Sequence, residues 1–117
     1  MTLRERAKAV SSVSDIMNGR EKVAIDEVIA QYPDSIEVID FDILTDRKTN
    51  DEYVVLVIKE EPKAFFFGGL AITNFFKDLC GEDKDGTRAE VQSEHLVMKL
   101  SQKRSQNGRI YTAYEVL

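Results

Sequence analysis

The chain is poor in the residue types that disulfides, metal centres and rigid turns require. Its 117 residues include one cysteine, one histidine, two prolines and no tryptophan. A single cysteine cannot form an internal disulfide, and Cys80 has no neighbouring residues at the spacing of metal ligands. These absences exclude a disulfide-stabilised domain and favour a reducing compartment.

Long hydrophobic runs are also missing. The longest uncharged apolar stretch, residues 64–76, contains glycines and polar residues and is shorter than the roughly 20 apolar residues of a membrane span. The first ten residues mix charges of both signs and lack the apolar core of a secretory signal. The sequence therefore predicts a cytoplasmic protein without a membrane-spanning segment.

The overall composition is that of one folded domain. Hydrophobic residues make up 43% of the chain, charged residues make up 32%, and the net charge is -5. These proportions are typical of a soluble globular protein and exclude a disordered one.

The last third of the chain departs from this acidic balance. No acidic residue occurs between Glu94 and Glu115, whereas four cations and two tyrosines do. Alternating segments flank the turn signal Asn107–Gly108, which predicts a β-hairpin. A basic, aromatic hairpin on an acidic body indicates a binding site for a polyanion. The alternative is a charged sheet edge that only discourages pairing with other chains.

The remaining elements follow from periodicity and from turn residues. Helices are predicted over 1–31, with a break at Gly19 and a stop at Pro33. The period then changes to two and predicts strands, a polar loop, one further helix and a charged loop before the hairpin. The predicted strands are 36–44, 52–59 and 64–67; the helix is 72–79 and the charged loop is 82–90.

Three strands, a helix and a terminal hairpin are the element order of an OB-fold, a barrel that binds oligonucleotides. We therefore predict a mainly β protein with a five-stranded OB-fold barrel over 35–117 and one helix between strands 3 and 4. An N-terminal helical extension over 1–34 is expected to pack on the barrel. In the third strand, Phe65 and Phe67 share one face and Phe66 takes the other, so at least one ring is expected to face outward beside Lys63 as a stacking platform.

Four segments resemble small phage-type single-stranded DNA-binding proteins, such as those of phages of Gram-positive bacteria. These segments are residues 39–42, 53–56, 63–74 and 108–114. In such proteins a barrel groove holds the DNA backbone with lysines and arginines and stacks bases on aromatic rings. The resemblance implies this role for Lys63, Phe65, Phe67, Lys99, Lys103, Arg104, Arg109 and Tyr111. Lys59, which begins the second cationic and aromatic segment, completes the predicted nucleic-acid-binding set.

The same resemblance implies a non-catalytic protein that protects or organises single-stranded DNA in replication, recombination or repair. We also predict no cofactor and no metal, a homo-oligomer (dimer or higher), since short binding units gain coverage by self-association, and phage or host replication and recombination proteins as further partners. The second interpretation is a protein–protein interaction module of a phage or plasmid replication or recombination complex. The chain departs from bacterial single-stranded DNA-binding proteins in having no tryptophan.

Catalysis and metal binding find little support in the sequence. His95 is the only histidine, and Glu94 beside it would point to the opposite face of a strand, so no general acid–base pair is set by spacing. Asp40 and Asp42 share one strand face, but no third ligand for a divalent cation is indicated. We therefore predict that the protein is not an enzyme.

Overall fold

The structure, a computed structural model, describes residues 2, 3 and 15–117. The elements in chain order are a 3-10 turn (Asp15–Met17), β1 (Glu21–Lys22), α1 (Ile25–Gln31), β2 (Ile36–Thr45), β3 (Glu52–Ile58), β4 (Glu61–Phe67), α2 (Gly69–Cys80), α3 (Lys84–Glu94), β5 (Leu96–Arg104) and β6 (Ile110–Val116). Most of the predicted first helix, including Val10 and Val13, lies outside the described residues. Within the described part, no helix has both the length and the apolar character needed to cross a membrane.

The six strands form one mixed sheet in the order β1-β4-β3-β2-β5-β6. All neighbouring strands are antiparallel except β1, which runs parallel to β4. The edge strands β1 and β6 do not pair with each other, so the sheet is open. The predicted five-stranded OB-fold barrel is therefore wrong.

The sheet stays open because a helix, and not a strand pair, fills the space in which a barrel would close. α2 packs against both β3 and β6. The first turn of α2, from Gly69 to Ala71, faces Ile110–Thr112 across a cavity of about 550 Å³. Since β1 pairs with the outer side of β4 and α2 lies against β6, β4 and β6 do not form the hydrogen-bonded ladder that closure requires.

Two helices follow β4, whereas one helix and a charged loop are predicted there. Residues 84–94 of that segment form α3, whose first turn is capped by the Asp83 carboxylate accepting a hydrogen bond from the Gly86 N–H at 3.0 Å. β2 pairs with β5 only over Ile36–Val38, and α3 lies against the rest of β2. The helix thus covers a strand edge that would otherwise be open.

Residues of the predicted N-terminal extension belong partly to the sheet and its core. Glu21 and Lys22 form β1, which pairs with Ala64 and Phe65 of β4. Val28 of α1 is 2% exposed and packs in the main core. The segment from β1 to α1 is therefore an integral part of the sheet and core, and only α1 within it is an α-helix.

The sheet has a core on each face. The face that carries the helices is the larger one, and the Phe41 and Phe76 rings stack there with centroids 4.6 Å apart. The opposite face packs against the 3-10 turn through Ile16. The strand residues of this second core are Leu44, Val55, Val57 and Phe65. Because both faces are buried, β3 reads as a continuous apolar run without alternation.

Arg88 links three parts of the chain through its guanidinium. It contacts Asp40 at 2.9 Å, Asp15 at 3.0 Å and the buried Asp42 at 3.8 Å. Lys84, one turn earlier on α3, adds a 3.0 Å ion pair to Asp42. The hydrogen bond to Asp40, despite partial burial, raises the pKa of Arg88 above its usual value.

Replacing Arg88 by methionine is expected to lower the free energy of unfolding by about 2–4 kcal/mol, because Asp40 and Asp42 lose a partner in a poorly solvated site. Urea denaturation would measure the change. The control is Lys77→Met, which removes the exposed 2.9 Å pair with Glu52 and is expected to cost less than about 1 kcal/mol. Equal losses in the two variants would contradict a structural role for Arg88.

Candidate nucleic-acid interface

The β5–β6 hairpin carries five of the predicted binding residues. Its strands pair in register from Met98 with Val116 to Arg104 with Ile110. The Ser105–Gly108 turn is closed by a hydrogen bond from the Gly108 N–H to the Ser105 carbonyl at 2.9 Å. Gly108 has φ +78°, a left-handed conformation that glycine adopts without strain. The hairpin predicted from Asn107–Gly108 is confirmed.

The register decides which side chains share a face of the hairpin. Directly opposite residues in an antiparallel pair lie on the same face. Lys103 lies opposite Tyr111, and Lys99 follows the same alternation, so these three project away from the helices. Arg104 lies on the other face, which also carries the buried Leu100 and is covered by α2.

The hairpin cations form no ion pairs with the described residues, whereas four cations of the body do. Among the described residues, Lys59, Lys77, Lys84 and Arg88 each contact a carboxylate. No carboxylate of that part of the chain pairs with the hairpin cations, which are all exposed: Lys99, Lys103, Arg104 and Arg109. Their charge is therefore available to an external anion without first breaking an internal pair.

The remaining predicted residues lie around β4, which β3 and β2 separate from β5 in the sheet. Three inter-strand steps of about 4.8 Å put Lys63, Phe65 and Phe67 roughly 14 Å or more from β5. Lys59 is nearer, because its backbone N–H donates to the Glu37 carbonyl of β2. Lys63 is exposed, and Lys59 is 3.6 Å from the Glu37 carboxylate. The structure therefore does not bring the two predicted groups together in one patch.

The phenylalanine rings of β4 predicted to bind DNA are largely packed against other residues of the protein. Phe65 is 8% exposed in the second core and presents little surface to a base. Phe67 is half-buried, with its ring edge against Tyr53 and the Lys22 ammonium 4.6 Å from its centroid. Of the two rings, only that of Phe67 has a partly exposed face on which a base could stack.

The open side of Phe67 borders a cavity of about 820 Å³ whose rim is acidic. Tyr53, Phe67 and Leu70 supply apolar lining, while the charged rim contains Asp46, Asp51, Glu52 and Lys77. Since three carboxylates and one cation surround it, this cavity repels a phosphate backbone. The β4 group is thus less suited to DNA than the hairpin.

A second groove lies between α2 and the hairpin, and residue-type reasoning missed it. It is the cavity of about 550 Å³ lined by Leu70, Ile110 and Tyr111. Leu70 is 78% exposed and Ile110 is 63% exposed. No local pattern marks these residues, because an apolar side chain in an amphipathic segment is ordinarily assigned to the core.

The residues considered for catalysis or metal binding have protein partners. His95 Nδ1 is 2.9 Å from Glu37 Oε2, and this hydrogen bond is the main cause of a lowered Glu37 pKa. Asp40 and Asp42 bind Arg88 and Lys84 as described above. Within the described residues, no three His, Cys, Asp or Glu side chains are arranged to hold a metal ion.

Cys80 is buried at the last position of α2. Burial raises the pKa of this thiol above its ordinary value. A protonated, buried thiol is a poor nucleophile.

Comparison with protein-family models, curated proteins and solved structures gives no match for this chain. Its function is therefore argued from the geometry of the hairpin and the groove beside it.

Proposed function

We propose that this protein binds single-stranded DNA without catalysis, through the β5–β6 hairpin, and serves replication, recombination or repair in the cytoplasm of a phage host. The observation that carries this proposal is the set of exposed, unpaired cations on the hairpin beside an exposed tyrosine. Cations track a phosphate backbone, and aromatic rings stack on bases regardless of sequence. The predicted self-association and the partnership with replication or recombination proteins belong to the same proposal.

The acidic net charge does not oppose this binding. At physiological salt, charges more than about 8 Å away are largely screened, so the local field of the hairpin governs its own surface. The hairpin carries four cations, against Glu115 opposite Lys99 and Asp26 hydrogen-bonded to Gln102, so its net local charge is positive. Binding should weaken steeply as salt rises, because each phosphate contact releases a counterion.

Tyr111 is the aromatic side chain best placed to stack on a base. It is 46% exposed and lies directly opposite Lys103, so a ring and a cation are presented side by side. A base on the ring would put its phosphate within reach of the flexible lysine chain. Stacking of this kind contributes about 1–3 kcal/mol per base.

The groove between α2 and the hairpin lies on the other face of β6 from the Tyr111 ring, on the side of Arg104 and Ile110. Its apolar lining residues, Leu70 and Ile110, are exposed and border Tyr111. An unstacked base held at Arg104 can shield its apolar ring in this groove from water.

The test is a titration of fluorescent oligo-dT with the purified protein at low and moderate salt, with duplex DNA of equal length as competitor. We expect tight binding at low salt, a steep loss at moderate salt and no competition by duplex. Absence of binding at low salt, or full competition by duplex, would refute the proposal.

A protein–protein interaction module remains the second candidate, and one specific observation favours it. The outer strand β6 and the residue after it expose apolar side chains, including Val116 at 47% and Leu117 at 59%. Exposed apolar residues on an edge strand suit association with another chain. If oligo-dT does not bind, this surface is the better account of the protein.

A further inference from the structure

One edge of β6 is unpaired in the described chain, and the register with β5 defines which residues direct their backbone groups toward that edge. The Leu117 N–H donates to the Val97 carbonyl at 3.0 Å, and the Ser105 N–H donates to the Arg109 carbonyl at 2.8 Å. Because hydrogen-bonded pairs alternate in an antiparallel ladder, the odd-numbered residues of β6 bond to β5. The even-numbered residues direct their N–H and C=O groups outward: Ile110, Thr112, Tyr114 and Val116. No strand of the described chain pairs with these groups.

β6 lacks the features that prevent other chains from pairing with the sheet edges elsewhere in this molecule. β4 carries Pro62 and Lys63 and is flanked by β1, and the open part of β2 is covered by α3. β6 has no proline, no lysine and no break in register, and its single charged residue is Glu115. In natural proteins, prolines, lysines, bulges or a covering element normally prevent an edge strand from pairing with another chain. A long, regular and apolar edge without these features is therefore one that another strand covers.

We propose that β6 pairs antiparallel with β6 of a second copy of this chain, about a twofold axis at Ala113, which joins the two sheets into one. This inference does not rest on DNA binding. In this register Ile110 lies opposite Val116 of the second copy, and Thr112 lies opposite Tyr114. All four outward-facing residues of each copy are then hydrogen-bonded. A register shifted by two residues would leave one of them unpaired on each copy, so the backbone selects Ala113 as the centre.

The side chains are complementary in the same register. On the helix side, the exposed Ile110 packs against Val116 of the second copy, an apolar pair that is repeated across the axis. On the other side, Glu115 lies opposite Tyr111 of the second copy, and Lys99 flanks Glu115 within its own hairpin. No like charges oppose each other, so the interface is isologous and free of electrostatic repulsion.

Oxidative cross-linking of Ala113→Cys tests the position of the axis. Residues 113 of the two copies form a non-hydrogen-bonded pair with Cα atoms about 4.5 Å apart, which is within disulfide range. We expect a covalent dimer on a non-reducing gel after mild oxidation. The matched control is Tyr111→Cys, on the same face. Its two thiols would lie about 13 Å apart along the strands and should not link. Cys80 is buried and present in both proteins.

Sedimentation velocity of two charge variants tests the same pairing without cross-linking. Ile110→Lys with Val116→Lys opposes lysines across the axis and is expected to give a monomer. Ile110→Glu with Val116→Lys opposes unlike charges at the same positions and is expected to give a dimer, as the wild type does. A monomeric wild type at about 100 µM, identical behaviour of the two variants, or preferential linking of Tyr111→Cys would overturn the proposal. Each outcome is independent of oligo-dT binding.

Discussion

Reversing two charges at the end of β5, Lys103→Glu with Arg104→Glu, is expected to weaken oligo-dT binding about 100-fold or more at low salt. Charge-assisted hydrogen bonds contribute about 1.5–3 kcal/mol each, and two are lost. Both cations are exposed and form no ion pair in the described chain, so the substitutions remove no internal contact of this kind. The slope of log affinity against log salt should also become shallower by about 1.4.

The control for this experiment has the same net charge. Lys59→Glu with Lys63→Glu also changes the chain by four charge units, but at β4 and the turn before it. Since Lys59 already faces Glu37, and β4 is separated from the hairpin by two strands, we expect a loss of less than about fivefold at moderate salt, where distant charges are screened. Equal losses in the two double variants would show that binding depends on net charge and would contradict a site on the hairpin.

Truncation of Phe76 to alanine is expected to lower the free energy of unfolding by about 3–5 kcal/mol, the usual cost of deleting a buried aromatic ring. Phe76 is fully buried, stacks on Phe41 with ring centroids 4.6 Å apart, and contacts Phe75 at 5.1 Å. Phe75 in turn contacts Tyr114 at 4.9 Å, so the same cluster holds the hairpin against α2. We therefore expect the loss to loosen the hairpin as well as the core.

Chemical denaturation measures this loss, and hydrogen exchange at the β5–β6 amides reports on the hairpin. Leu70→Ala is the control on the same helix. Leu70 is 78% exposed, so its truncation should change stability by no more than about 0.5 kcal/mol. A loss below about 1.5 kcal/mol for Phe76→Ala would mean that α2 does not form the main core with the sheet.

Pairing of β6 with a second copy would join the DNA-binding surfaces of the two hairpins. This pairing would place the two hairpin tips at opposite ends of the joined strands, about 40 Å apart, since residues 107 of the two copies are offset by twelve positions at about 3.3 Å each. The faces that carry Lys103 and Tyr111 would then be continuous across the axis. One strand of DNA running along this surface would meet two equivalent sites, which raises affinity through effective concentration.

The long strands and the hairpin could be predicted because their signals are local. Alternation and β-branched residues predict strands over 36–44 and 52–59, and the structure has β2 at Ile36–Thr45 and β3 at Glu52–Ile58. The Asn107–Gly108 turn likewise determines its own geometry. By contrast, α3 could not be predicted from its composition, since Val91 is its one buried residue and its other anchors are the distant Asp40 and Asp42.

The candidate site likewise contains residues whose exposure could be predicted from the sequence and residues whose position depends on the tertiary structure. Lys99, Lys103, Arg104, Arg109 and Tyr111 are exposed on one hairpin, as expected from a segment without acidic residues. The resemblance implies that Phe65 stacks on a base, yet Phe65 packs into a second core that alternation alone does not reveal. Leu70 and Ile110 border a groove because α2 and β6 face each other, a relation between segments 40 residues apart.

The sequence by itself determined the positions of the main strands, the basic and aromatic character of the terminal hairpin, and the absence of disulfides. These depend on neighbouring residues, on the spacing of apolar side chains and on residue types. Only the tertiary structure decided that the sheet is open, that α3 covers one strand edge while no described strand covers the outer edge of β6, and that the predicted cations form two separate groups. Strand order and burial are set by contacts between residues far apart in the chain, and the local pattern of a strand does not specify which segment lies beside it.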